Sequence, residues 1–157
     1  MWDDIKIFFK LLVFKASPGD IRASYRLFGG VIALSYMAML GGFWTTPLLW
    51  GMLLVLLAWK LLYVMLILKM RRLSERFLQT STALLGVTFL LALVKLACFH
   101  LLVQGVVLNG IVALLAIWEL VITSVIFEKA LSTHIGWAIV ATIGLFLTSG
   151  FLMLLIL

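Results

Sequence analysis

Charged residues and cysteine are scarce in this chain of 157 residues. Only 11% of the residues are charged and 66% are hydrophobic, with a mean hydropathy of +1.29. Soluble globular domains carry about a quarter charged residues, so the composition excludes that class, and the apolar excess excludes a disordered chain. The single cysteine, Cys98, excludes an internal disulfide and a thiolate metal cluster.

Long apolar stretches make up most of the chain. At about 20 apolar residues for each membrane span, the sequence has room for five spans and little else. We expect an all-α fold: a polytopic membrane helix bundle that forms one domain over residues 1–157. Short connections predict antiparallel neighbouring helices. The expected spans cover residues 27–43, 48–68, 80–103, 106–127 and 135–157.

Residues 2–14 are too charged to cross a membrane, and their apolar residues recur at the spacing of an amphipathic helix. These apolar residues are Ile5, Phe8, Phe9 and Leu12. Such a helix lies in the membrane interface, with Phe8 and Phe9 toward the lipid and Lys6 and Lys10 at the headgroups. The alternative is a short cytoplasmic helix packed on the bundle.

The next helix is predicted to begin at Ser17, which suits an N-cap. Pro18 then occupies the first helical position and Asp20 lies near the positive end of the helix dipole. This helix would carry Arg22 and Arg26 into the first span. The acidic first residues lack the basic region of a signal peptide, so we expect the N-terminus to be retained.

Basic residues lie on one side of the expected spans. Five precede the first span, four follow the second and one follows the fourth, whereas the two opposite connections and the C-terminus have none. The positive-inside rule therefore predicts a cytoplasmic N-terminus and an outside C-terminus. The net charge of +6 then reflects topology and contact with lipid headgroups, and we expect no nucleic-acid partner.

Three charged residues, Lys60, Lys95 and Glu119, lie inside the expected spans. Such residues cost roughly 2.5–3.5 kcal/mol each at mid-membrane and usually face the bundle interior or a partner. Lys60 and Glu119 each lie about 13 Å above the inner boundary, whereas Lys95 lies close to the outer headgroups and can snorkel there. Depth therefore predicts a Lys60–Glu119 pair and disfavours Lys95 as the partner by about 10 Å or more.

Polar and small residues form stripes on three of the expected spans. We expect the stripes on the third and fourth spans to line the interior, and the stripe on the fifth to permit close helix contact inside the bundle or between protomers. Three interpretations of the charge pair stay open: fixing helix registry, relaying a proton or ion, and contacting a partner subunit. The stripes are Ser81, Thr88 and Lys95; Asn109, Val112, Ala116, Glu119, Thr123 and Ile126; and Gly136, Gly144 and Thr148.

The sequence contains no GxSxG, HExxH or Walker motif, and no aspartate lies inside an expected span. His100 and His134 lie at opposite ends of the expected bundle, too far apart to ligate one haem. We therefore expect no catalytic residue, no metal and no cofactor.

The order of these parts resembles the Yip-domain family (Ypt-interacting-protein-like membrane proteins) and small bacterial inner-membrane proteins with the same layout. Ser17-Pro18-Gly19-Asp20-Ile21-Arg22 is similar to the entry of the first span in the bacterial members, and Gln79-Thr80-Ser81-Thr82-Ala83-Leu84-Leu85-Gly86 to the entry of their third. The Asp-Leu-Tyr-Gly-Pro motif of the eukaryotic members is absent, so their GTPase-linked role is not implied. The resemblance implies a non-enzymatic scaffold or accessory subunit of the bacterial inner membrane.

Two functions of different classes follow. The first is an accessory membrane protein that acts through helix contacts with another membrane protein or with itself, in contact with membrane lipids. The alternative is a small transporter or channel protomer that uses Lys60 and Glu119, although no internal repeat or broken helix of the transporter kind is visible. An enzyme acting on lipids ranks third, because no nucleophile lies beside a base in the sequence.

Overall fold

The computed structural model describes residues 2–41, 47–101 and 106–156, and this part of the chain contains helices and turns but no strand. Two short 3-10 turns, Pro18–Asp20 and Ser74–Arg76, precede the second and fourth of its α-helices. In chain order the α-helices are α1 (Trp2–Leu12), α2 (Tyr25–Leu40), α3 (Pro47–Met70), α4 (Phe77–Leu101), α5 (Val106–Leu131) and α6 (Ile135–Ile156).

Four of these helices, α3 to α6, are long and apolar enough to cross a membrane. The shorter apolar helix α2 has 16 residues, which corresponds to about 24 Å. The expected helical membrane bundle is confirmed in this form. Relative to the expected spans, α4 begins three residues earlier and α5 ends four residues later. Residues 42–43, 102–103 and 157 of those spans lie outside the described residues.

Helix α4 forms the centre of the bundle, and each of its residues from 80 to 88 is buried. Helix α2 runs parallel to it, and the Ser35 hydroxyl donates a 2.9 Å hydrogen bond to the Leu85 carbonyl oxygen. Helix α6 lies at the periphery against α3 and α5. It buries one narrow stripe of residues at helical spacing, consisting of Ala138, Thr142 and Leu145.

The start of α2 differs from the sequence prediction. Ser17 and Asp20 do form a capping box, but it caps only the 3-10 turn, and α2 begins at Tyr25 with Ser24 as its N-cap. The intervening Ile21 is extended and buried. The Gln79 side chain donates hydrogen bonds to the carbonyl oxygens of Gly19 and Ile21. These carbonyl oxygens therefore accept hydrogen bonds from a side chain of α4 instead of the backbone N–H groups of a continuous helix from Ser17.

The two ends of the bundle are packed differently. We name the end where α3 and α5 finish the basic end, because Lys69, Arg76 and Lys129 lie there, and we name the other the neutral end. Residues 122–131 of α5, toward the basic end, are all buried or half-buried, whereas eight of residues 109–118 are exposed. Within the described residues, α5 is therefore covered toward the basic end and largely uncovered toward the neutral end.

Candidate functional site

Glu119 on α5 lies between two lysines inside the bundle. Its Oε1 atom lies 3.8 Å from Lys60 Nζ on α3, and its Oε2 atom lies 2.8 Å from Lys95 Nζ on α4. The side chains of Lys60 and Glu119 are 15% and 13% exposed, whereas that of Lys95 is 33% exposed. The expected approach of Lys60 to Glu119 is present, but Lys95 makes the shorter contact.

The sequence argument that disfavoured Lys95 as a partner of Glu119 was wrong. Measured from the basic end, Lys95 lies about 27 Å along α4. Glu119 lies about 18 Å from the same end along α5, because α5 continues to Leu131. The remaining difference is about 9 Å. Helical side chains lean toward the N-terminus of their own helix. In two antiparallel helices, Lys95 and Glu119 therefore lean toward each other and close this gap.

We call Lys60, Glu119 and Lys95 the charge triad. Thr88 lies beside the triad and contacts one of its lysines. Its Oγ1 atom accepts a 2.6 Å hydrogen bond from Lys60 Nζ. Lys60 therefore has both a carboxylate and a hydroxyl as partners, which is the arrangement that makes a buried ammonium group tolerable.

The predicted polar stripes are only partly interior. Ser81, Thr88 and Thr123 are buried, and Lys95 is half-buried. Asn109 is exposed, so its predicted place on the interior lining was wrong. Eight of residues 109–118 of α5 are exposed, so polar spacing on this half of the helix does not identify an interior face. The regular spacing along the helix holds, but Asn109 lies near the start of α5, where most of the described residues are exposed.

A cavity of about 370 Å³ lies beside the triad toward the neutral end. Residues of α2 to α5 line it, and its charged lining consists of Lys95 and Glu119. Its remaining lining residues are Thr88 and the apolar Ala38, Met39, Leu53, Ala92, Leu96, Phe99 and Val112. A volume of this size is typical of small-ligand sites, which combine apolar walls with a few polar groups.

The triad holds more positive than negative charge. Glu119 is the one acidic residue in the sequence between Glu75 and Glu128, so two ammonium groups share one carboxylate. Lys60 is held by Thr88 and Glu119, whereas Lys95 is more exposed and lines the cavity. Lys95 is therefore the cation that can also interact with a group inside the cavity.

The N-terminal helix α1 packs on the bundle through Phe8, which is only 6% exposed. Its ring lies against Gly86 of α4, where even a Cβ atom would overlap it. The prediction that Phe8 points toward lipid was therefore wrong, because the apolar spacing of a helix does not distinguish lipid from a glycine notch in a neighbouring helix. Phe9, Lys6 and Lys10 are exposed, and their contact with the membrane interface stays a prediction.

Of the small residues expected to form a stripe on α6, Gly144 and Thr148 contact α3, whereas Gly136 is exposed with nothing in the described part of the chain within 4 Å of an added Cβ atom. A Cβ atom at Gly144 would lie 2.5 Å from the Tyr63 hydroxyl, which donates a 2.8 Å hydrogen bond to the Ala141 carbonyl oxygen. Thr148 accepts a 3.1 Å hydrogen bond from the Trp59 indole nitrogen. Sequence reasoning missed these two aromatic donors on α3, although the Gly144 and Thr148 spacing indicated a close helix contact.

Among the described residues, no group of three or more His, Cys, Asp or Glu side chains is placed to hold a metal ion. Comparison of the chain with protein-family models, curated proteins and solved structures finds no match. The resemblance to the Yip-domain family therefore stays a prediction from the sequence motifs.

Proposed function

We propose that the chain is a non-enzymatic accessory or scaffold protein of the bacterial inner membrane that acts through helix contacts with another membrane protein or a second copy. The observation that carries this proposal is the neutral-end half of α5. Three of its residues, Gly110, Ala113 and Ile117, recur at spacing i, i+3 and i+7, and all three are exposed. With the adjacent Leu114, 68% exposed, they form what we call the α5 exposed face.

The composition of this face supports contact with a helix. Nothing in the described part of the chain lies within 4 Å of a Cβ atom placed at Gly110. Gly110 and Ala113 are small residues, and small residues allow two helix backbones to approach closely in a membrane, where packing and hydrogen bonds drive association. The exposed Asn109 at the same end can supply an interhelical hydrogen bond.

Purification in mild detergent followed by cross-linking tests the proposal. We expect the wild-type protein to be recovered as a defined oligomer or with one membrane partner. Gly110→Leu should abolish that association. Gly150→Leu on α6 is the matched control, because it also adds a side chain where nothing lies within 4 Å. A strictly monomeric wild-type protein without a partner, or equal effects of the two variants, contradicts the proposal.

The proposed orientation is N-terminus in the cytoplasm and C-terminus outside. The supporting observation is that the basic connections lie at one end of the bundle, where α3 ends near Lys69, α4 begins after Arg76 and α5 ends near Lys129. The entry motifs that resemble the bacterial Yip-like proteins support an inner-membrane location in the same way.

A second candidate, a small transporter or channel protomer, is favoured by the cavity beside the charge triad. The cavity is lined by Lys95 and Glu119 and lies toward one end of the bundle only, as expected of a site with access from one side. Reconstitution into liposomes with pH-sensitive and ion-sensitive dyes tests it. Flux that disappears in Glu119→Gln supports this candidate, and absence of flux under every gradient rejects it.

A further inference from the structure

A second cavity lies at the basic end, at the junction of the two entry motifs. It has a volume of about 310 Å³. Gln79 joins the motifs by donating to the carbonyl oxygens of Gly19 and Ile21. The residues that line the cavity come from the turn before α2, from the start of α4 and from the end of α5: Ser17, Pro18, Gly19, Arg76, Gln79, Thr80, Lys129 and Ala130.

Two cations line this cavity without an acidic partner among the described residues. Arg76 donates hydrogen bonds to the Ala130 carbonyl oxygen and the Ser132 hydroxyl, at 3.1 and 3.0 Å. Lys129 donates to the Ala16 carbonyl oxygen at 2.5 Å. Because all of these acceptors are neutral, the two positive charges are fixed in place but are not neutralised. The nearby Asp20 carboxylate is engaged by the Ser17 backbone N–H at 2.6 Å.

Thr80 supplies an unpartnered hydroxyl to the same cavity. Its side chain is fully buried, and Oγ1 has no hydrogen-bond partner in the described part of the chain. The helical hydroxyls of Thr82 and Thr142 donate to the carbonyl oxygen four residues earlier. The buried Ser81 hydroxyl is also unpartnered among the described residues, but only Thr80 lines the cavity. Thr80 lies in the first turn of α4, so the residue four positions earlier, Arg76, belongs to the 3-10 turn. Leaving such a group unpaired costs free energy, and a ligand in the cavity would pair it.

We propose that this cavity binds a phosphate group, with Arg76 and Lys129 neutralising its charge and the Thr80 hydroxyl donating a hydrogen bond to one of its oxygens. A guanidinium group, an ammonium group and a hydroxyl around one small polar space match the charge and hydrogen-bonding needs of a tetrahedral oxyanion. The phosphate group belongs either to a lipid headgroup of the adjoining leaflet, which basic pockets between membrane helices can bind, or to a soluble phosphate. The proposal does not depend on the function proposed above.

Thermal unfolding of the purified full chain in detergent tests the proposal with two probes. One arm adds inorganic phosphate, and the other adds phosphatidylglycerol, compared with phosphatidylcholine. We expect the melting temperature to rise with one of the probes by mass action. A response to inorganic phosphate identifies a soluble ligand, and a response to phosphatidylglycerol alone identifies a headgroup.

Thr80→Val distinguishes a ligand site from a structural role. This variant keeps the side-chain shape and removes the unpartnered hydroxyl. We therefore expect it to melt at an equal or higher temperature without phosphate. It should nevertheless bind the active probe about tenfold more weakly, which is the usual worth of one hydrogen bond to a charged group. Thr82→Val is the matched control, because its hydroxyl donates to Leu78 and does not line the cavity.

The double variant Arg76→Gln/Lys129→Gln should weaken binding by about a hundredfold or more. Lys69→Gln/Arg71→Gln removes the same charge from exposed positions at the same end and should keep most of the response. If Arg76→Gln prevents folding, Thr80→Val alone decides the test. No response to either probe, equal losses in Thr80→Val and Thr82→Val, or equal losses in the two charge variants would overturn the proposal.

Discussion

Replacing Glu119 by Gln should destabilise the bundle far more than removing either lysine that it contacts. In the wild-type protein, Glu119 lies 2.8 Å from Lys95 Nζ and 3.8 Å from Lys60 Nζ. Glu119→Gln leaves two neighbouring ammonium groups without a counter-ion in the membrane interior. An uncompensated buried charge typically costs about 3–5 kcal/mol, and we expect a loss of that size.

Removal of one lysine has a milder consequence, because Glu119 keeps the other. Lys60→Met leaves the Lys95 contact, and Lys95→Met leaves Lys60 with its Thr88 hydrogen bond. We expect each to cost about 1.5–2 kcal/mol, the lower end of the worth of one hydrogen bond to a charged group. The triple variant Lys60→Met/Glu119→Gln/Lys95→Met should cost less than the sum of the three single variants, because it strands no charge.

The assay is unfolding of each variant in mild detergent, with the free energy of unfolding compared through double-mutant cycles. Glu128→Gln is the matched control, since it makes the same chemical change on α5 outside the triad, and we expect an effect within about 0.5 kcal/mol. The account is refuted if Glu119→Gln costs no more than a single lysine variant, or if the three single effects are additive.

Three further predictions concern packing and orientation. Phe8→Ala should cost about 3 kcal/mol in thermal unfolding and expose α1 to protease. Phe9→Ala should cost less than about 0.5 kcal/mol, because Phe9 is 54% exposed whereas Phe8 is 6% exposed. Equal losses would contradict the docking of α1. Gly144→Ala should cost about 1–3 kcal/mol. The loss should be much smaller in a Tyr63→Phe background, which lacks the hydroxyl oxygen nearest to the new Cβ atom. An unchanged loss would refute that contact. In a Cys98→Ser background, an impermeant thiol reagent should label Asn109→Cys from outside intact cells and Ser132→Cys only after permeabilisation, and the reverse pattern would invert the orientation.

The sequence was sufficient to identify the three charged residues inside the spans, but not to determine which lysine lies closer to Glu119. Charged residues inside apolar stretches are rare, so Lys60, Lys95 and Glu119 are conspicuous in the sequence. Choosing between Lys60 and Lys95 required a depth estimate, and that estimate depends on where α5 ends. The last helical turn of α5, up to Leu131, shifted that estimate by about 4.5 Å. The lean of the two side chains accounts for the rest.

Other features depend on contacts between distant parts of the chain. The spacing of α1 predicts an apolar face, but only the glycine notch at Gly86 determines that Phe8 packs on protein. In the same way, Arg76 and Lys129 are separated by 53 residues in the sequence. From the sequence alone, both residues indicate only the orientation of the chain in the membrane. Their shared cavity with Thr80 becomes visible only when α4 and α5 are packed together.

Site-specific photo-crosslinking in native membranes tests most directly whether the α5 exposed face is a helix-contact surface. A photoreactive residue at Ala113 lies about 27 Å from the basic end of α5, and one at Phe151 on α6 lies at a similar level, about 24 Å from the start of its helix. Both positions are exposed. The account predicts that Ala113 yields one discrete crosslinked product, a second copy or a single membrane partner, and that Phe151 yields none. No product at Ala113, or the same products at both positions, would contradict it.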